Sequence, residues 1–164
     1  MKPFPFMVIA VILSLAFNSC QKEWKPGMPL PKEKVIIGVI HITDPFIESS
    51  GYSYAHQMGI EAMKQSLDID DSQILYKINI DDSQSLFVES AIRELIALGA
   101  NIIIATSYGY MDTCEKLARE FPAVVFAHAT GYKFNDINFT NYFGKVHEAR
   151  YLSGIVAGTQ KKPV

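Results

Sequence analysis

Short, continuous apolar runs recur along this chain, each followed by a longer amphipathic stretch, and few folds accept that alternation. Val35–His41 (VIIGVIH) and Asn101–Ala105 (NIIIA) are apolar at nearly every position. Both faces of such a run must be covered, as they are in the central strands of a parallel sheet. Ile74–Ile80 adds a strand of more alternating character, and Val124–Ala127 a fourth. Between them, Gly51–Leu67 spaces Tyr54, Met58, Ala62 and Met63 at three- and four-residue steps, and Ser85–Leu98 places Phe87, Ala91, Ile92, Leu95 and Leu98 on one side. Both read as helices, the second stopped by Gly99. Tyr110–Glu120, ended by Pro122, and Gly144–Gly158 read as two more. Strand–helix alternation predicts an α/β fold with parallel strands, right-handed crossovers and helices on both faces. Binding groups in such a sheet gather in the loops beyond the carboxyl ends of its strands. Those loops are Ile42–Gly51, Asp81–Ser85, Thr106–Tyr110 and His128–Asn135.

The start of the chain is different in kind. Residues 1–20 carry Lys2, the apolar run Phe6–Phe17 and then Asn18-Ser19-Cys20, the three-part layout of an export signal. The run is shorter than the about 20 residues a helix needs to cross the hydrocarbon core. It reads as a lipoprotein signal, with Cys20 the lipid-bearing first residue after cleavage. An ordinary secretory signal, an uncleaved anchor or a buried helix are the alternatives. Residues 21–34 (QKEWKPGMPLPKEK) follow as a tether, because Pro26, Pro29 and Pro31 bar regular structure and the charges keep the segment solvated. Trp24 would suit a membrane interface or stand as an idle linker residue. Residues 35–164 are left for one α/β lobe, and the expected location is the cell membrane, with the lobe facing the periplasm or the cell exterior.

Composition removes several functions. The 164 residues are 49% hydrophobic and 20% charged, with a formal net charge of −2, and no basic stripe offers itself to phosphates, so a nucleic-acid partner is not expected. Neither G-x-G-x-x-G nor G-x-x-x-x-G-K-[ST] occurs, and no cofactor is expected. His41, His56, His128 and His147 lack metal-ligand spacing, so no metal is expected, and Cys114 reads as a packed thiol. Ser49 or Ser50 would cap the first helix or face a ligand, and Tyr52 would stack on a flat one. Ala105-Thr106-Ser107-Tyr108-Gly109 fits a nucleophile elbow, with Asp136 and His147 following in order, so a serine hydrolase using Ser107 is one reading. Hydrogen bonding of a ligand by Thr106 and Ser107, or a plain helix cap, are the others.

Taken together, the blocks Gly51–His56 (GYSYAH), Ala105–Asp112 (ATSYGYMD), Ala118–Pro122 (AREFP), Phe126–Lys133 (FAHATGYK), Asn141–Gly144 (NYFG) and Glu148–Gly158 (EARYLSGIVAG) resemble, in order, the basic membrane protein (BMP, PnrA-like) family of substrate-binding lipoproteins. The resemblance implies an ABC-importer component without enzymatic activity, with permease and ATPase subunits as partners, attached to the membrane by its lipid. It implies the amino-terminal, Rossmann-like lobe of a type I periplasmic-binding fold, and a purine nucleoside or nucleobase as ligand. On the matching positions Tyr52 would stack on the base, and Ser49, Thr106, Ser107, Tyr108, Thr130 and Gly131 would line its edges. Where the family pattern has Asp and Trp, this chain has Ser49 and Tyr52. The missing carboxylate removes a charge-assisted hydrogen bond of about 1.5–3 kcal/mol, for which Asp44 or Glu48 would have to substitute. A second lobe is not expected within the 164 residues, so the expectation is half of a cleft and no tight binding by this chain alone. A remnant or interaction-only lipoprotein is the competing reading.

Overall fold

The structure is a computed structural model describing residues 30–160. The expected signal, the lipidated Cys20 and the tether as far as residue 29 lie outside the described residues. Five strands, β1 (Ile37–Ile40), β2 (Ile74–Lys77), β3 (Ile102–Ala105), β4 (Val125–Ala129) and β5 (Phe139–Tyr142), form one sheet in the order β2-β1-β3-β4-β5. Every pairing is parallel. Four helices follow β1, β2, β3 and β5: α1 (Tyr52–Leu67), α2 (Ser85–Ala97), α3 (Met111–Glu120) and α4 (Val146–Thr159).

Strand alternation decides what each face buries. Ile40, Ile103, Ala105, Phe126 and Phe139 point to one side, where Val88, Ala91, Ile92 and Leu95 of α2 and Met111, Cys114, Leu117 and Ala118 of α3 close over them. Ile37, Val39 and Ile74 point to the other, against Ile60 and Met63 of α1. Gly38 is required for α2 to approach, since a Cβ there would lie 2.9 Å from Ile103 and 3.1 Å from Leu95. On the α1 side the helix covers only part of the sheet, and Ile104 and Ala127 border an open groove beside it.

Three features differ from the reading of the sequence. The strand β5 was not expected between His128 and Gly144. It is an edge strand in which Phe139 alone is buried, too short and too polar to register as a buried run. A 3₁₀ turn, Tyr108–Tyr110, precedes α3, so that helix begins at Met111. Neither Ser49 nor Ser50 caps α1: the N-cap is Gly51, at φ 111°, with no side-chain cap, a conformation open to glycine and strained for any other residue. None of the residues of α4 is buried.

Candidate functional site

Strand order places the site before any side chain is considered. In the order 2-1-3-4-5 the chain leaves β1 in one direction and β3 in the other, so their following loops part and leave a crevice at the carboxyl edge. The loop after β1 carries Ser49 and leads into Tyr52, and the loop after β3 carries Thr106, Ser107 and Tyr108. Those two segments therefore face one crevice.

On the α1 side the crevice is aromatic. Tyr52, 47% exposed, meets His56 edge-on with centroids 4.6 Å apart, and His56 faces Tyr142 at the end of β5 at 6.0 Å. The Tyr142 hydroxyl is 3.5 Å from His56 Nδ1, the outer limit of a hydrogen bond. Burial lowers the His56 pKa and raises that of Tyr142, favouring the neutral form of each. Under this run lies a groove of about 350 Å³, lined by Ala55, Gly59, Ile60, Ile104 and Ala127 with His56 and Tyr142 at its rim. His56 and Tyr142 were not singled out as ligand residues from the sequence. His56 shares a face of α1 with Tyr52, four residues away, which is the signal that was there to read.

Opposite, the side is polar. Ser107 Oγ donates to Asp82 Oδ2 at 2.5 Å, and Gly109 lies so close that a Cβ would fall 2.7 Å from the Asp82 carbonyl oxygen. Asp82, from the loop after β2, thus sets a carboxylate against the β3 loop at Ser107, whereas Ser49 is exposed. Asp44 accepts the Phe46 N–H at 2.9 Å, and Glu48 leans toward Gly51. Tyr108 is 55% exposed at the rim. Thr106 is fully buried, its hydroxyl 2.9 Å from the Ile40 carbonyl oxygen and 3.2 Å from His41 Nδ1, so it shapes the crevice from behind.

Thr130 and Gly131 sit at the β4–β5 turn. Thr130 takes a left-handed conformation, φ 64°, and donates its hydroxyl to Ala129 O at 2.6 Å. Gly131 packs on His128, whose Nε2 is 2.8 Å from Ser107 O and whose Nδ1 is 3.0 Å from Asn141 Oδ1. One buried imidazole therefore connects the β3 loop, β4 and β5. The nucleophile-elbow reading loses its base in this arrangement. The Ser107 hydroxyl points to a carboxylate, His128 meets its carbonyl oxygen, and Asp136 and His147 are both exposed. Among the described residues no group of His, Cys, Asp or Glu is placed to hold a metal ion.

Comparison with known proteins identifies the family and the fold. Residues 36–163 match the family model described as ABC transporter substrate-binding protein PnrA-like. The chain is 33% identical over 136 residues to a purine-binding protein of Brucella abortus, covering 83% of this chain and 37% of that protein. It is 30% identical over 132 residues to a Haloferax volcanii protein named for ABC-transporter glucose binding, covering 80% and 32%. The chain thus spans about a third of the length of these relatives. Among solved structures, an ABC transporter solute-binding protein of Conexibacter woesei superposes with a TM-score of 0.58 at 18% identity, over 76% of this chain and 40% of that one. One from Aeropyrum pernix gives 0.59 at 15%, over 75% and 32%.

Proposed function

The chain belongs to the PnrA-like family of ABC transporter substrate-binding proteins, and on that premise we propose that its carboxyl-edge crevice receives a purine nucleoside or nucleobase for an importer. The observation that carries the reading is the pairing of two unlike walls at one switch point. Tyr52, His56 and Tyr142 supply flat apolar rings, and Asp82, Ser107 and Tyr108 supply polar groups within one loop's reach. A purine has the matching halves, a π-face that stacks and an edge of donors and acceptors. Stacking on an aromatic side chain contributes about 1–3 kcal/mol per base, and the groove under the rings falls in the about 300–1,000 Å³ range of small-molecule sites. A pyranose presents only a C–H face to Tyr52 and a ring of hydroxyls to the rest of the site, so the run of three rings favours the purine over the glucose named for the second relative. Asp82 replaces the carboxylate missing at Ser49, accepting a hydrogen bond from the ligand edge.

The family premise also supports an extracytoplasmic, lipid-anchored location through Cys20, with the permease and ATPase as partners. Among the described residues no helix is long and apolar enough to cross a membrane. Titration calorimetry and saturation-transfer NMR against adenosine, guanosine, inosine, adenine, hypoxanthine and glucose test the ligand class. The described residues bury a ligand from one side only, so the expected outcome is purine binding weaker than micromolar and no glucose binding. Glucose binding without purine binding would overturn the reading.

A further inference from the structure

Behind the crevice lies a polar network closed off from the surface. His41, Gln57 and Thr106 are 0%, 2% and 0% exposed, beside a core cluster of Ile37, Val39, Ile60 and Ile74. Burying three polar side chains there costs free energy that apolar residues of similar volume would not, so the network calls for a role other than stability.

Its proton positions follow from its partners. Gln57 Nε2 is 2.8 Å from Glu61 Oε1 and 2.9 Å from the Tyr76 hydroxyl. A carboxylate only accepts, so the amide nitrogen is turned to that side and Gln57 Oε1 faces His41 Nε2, at 3.2 Å. His41 Nε2 therefore carries the hydrogen. His41 Nδ1 is then a bare acceptor 3.2 Å from Thr106 Oγ1. The Thr106 hydroxyl has one hydrogen and two acceptors in reach, Ile40 O at 2.9 Å and His41 Nδ1 at 3.2 Å; because Ile40 O also receives the Thr106 N–H at 3.2 Å, the hydroxyl can serve Nδ1 without leaving that carbonyl unpaired. With neutral His41 every member is paired, and no buried side-chain donor or acceptor among the described residues is left over. Burial, opposed by the Gln57 hydrogen bond, lowers the His41 pKa, with His56 and Glu48 the nearest charges acting on it.

Both ends of this network are joined to the ligand walls. Gln57 lies on α1 five positions after Tyr52, and Thr106 is the residue before Ser107. We propose that His41 is a positioning residue for the crevice: a single Nε2–H imidazole ties α1 through Gln57 and the β3 loop through Thr106, setting the separation of the Tyr52 and Ser107–Tyr108 walls. Apolar side chains would hold the helix against the sheet as firmly, but would let it slide along its axis. Directed hydrogen bonds fix one register. The inference rests on the ligand crevice assigned above and adds what holds its two walls apart.

The test uses the full chain with two variants, His41→Leu/Gln57→Leu, which is apolar throughout, and His41→Gln, which keeps a donor near the Nε2 position. Imidazole ¹⁵N shifts should report the Nε2–H tautomer, and the Nδ1–H tautomer would overturn the proposal. The double variant should unfold at the same or a higher urea concentration than the natural chain. It should nevertheless shift the Tyr52 and Ser107 amide resonances and bind adenosine at least tenfold more weakly, with His41→Gln regaining most of that loss. Unchanged adenosine affinity and unchanged amide positions in the double variant would refute the role. If the natural chain binds no purine, the ligand reading fails, and the tautomer and amide shifts still decide the positioning role. If the double variant does not fold, the tautomer and His41→Gln decide it.

Discussion

Gly131→Ala is the substitution whose cost the structure specifies most closely. A Cβ at this position would lie 2.4 Å from His128 Nδ1, 2.5 Å from Asn141 Oδ1 and 2.6 Å from His128 Cε1. Real Cβ atoms do not approach that near, so either the ring or the backbone must move. The ring is fully buried and held at both nitrogens, by Ser107 O and Asn141 Oδ1, and it cannot swing away as a flexible surface side chain would. Overpacking of a filled interior costs about 1–3 kcal/mol. Loss of a hydrogen bond at the ring adds about 1–3 kcal/mol where a buried partner is left unpaired. The sum is about 2–6 kcal/mol against a total domain stability of about 5–15 kcal/mol. Urea unfolding followed by circular dichroism measures it, with Gly59→Ala as the control. Nothing lies within 4 Å of a Cβ at Gly59, in the middle of α1, so that change should stabilise by about 0.5–1 kcal/mol from helix propensity alone. If Gly131→Ala lay within about 0.5 kcal/mol of the natural chain, the range of ordinary surface changes, the tight packing of the β4–β5 turn on His128 would be refuted.

Other consequences are as specific. Asn138 is buried and its amide nitrogen donates to Ala118 O, Phe121 O and Val124 O at 2.9, 3.1 and 2.7 Å. Asn138→Ala should destabilise by about 2–4 kcal/mol in the same assay, since carbonyls at the end of α3 lose their donor. His41 and His56 both have pKa values lowered from 6.5 by burial, so the folded state favours their neutral forms. Stability from this source is fully present above pH 6.5 and declines as pH falls through the folded values. A urea midpoint that rose on acidification from pH 7 to 5.5 would contradict it, and His41→Gln should flatten the decline. Burial pushes the Cys114 thiol up to about 12, so in a Cys20→Ala background it should resist a thiol reagent until urea unfolds the chain. Metabolic palmitate labelling of the natural chain should vanish in Cys20→Ala, and labelling that persists would remove the anchor.

Parallel sheets made the fold legible. A run such as NIIIA has no polar face to show water, so covering helices on both sides follow from the residues themselves, as do the loops that must carry a site. What sequence could not show were contacts between loops. Thr106 looks like a ligand hydroxyl until β1 is placed beside it, where Ile40 O and His41 Nδ1 stand as the acceptors for its one hydrogen. Asp82 looks like any acid in a polar loop until Ser107 closes on it. Gly131 looks like a turn glycine, yet its φ is not the constraint. The imidazole of His128, three residues back, occupies the space a side chain would need. The edge strand β5 was missed for a related reason, since Phe139 alone among its residues is buried.

The central claim is that the β1/β3 switch point holds a purine between an aromatic and a polar wall. Chemical-shift mapping of the ¹⁵N-labelled full chain titrated with adenosine addresses it directly. The account predicts that the resonances of Tyr52, His56, Ser107, Tyr108 and Tyr142 move together along one titration curve, and that Tyr52→Ala abolishes the movement. Shifts confined to residues away from the carboxyl edge, or none with any purine while glucose moves these same residues, would contradict it.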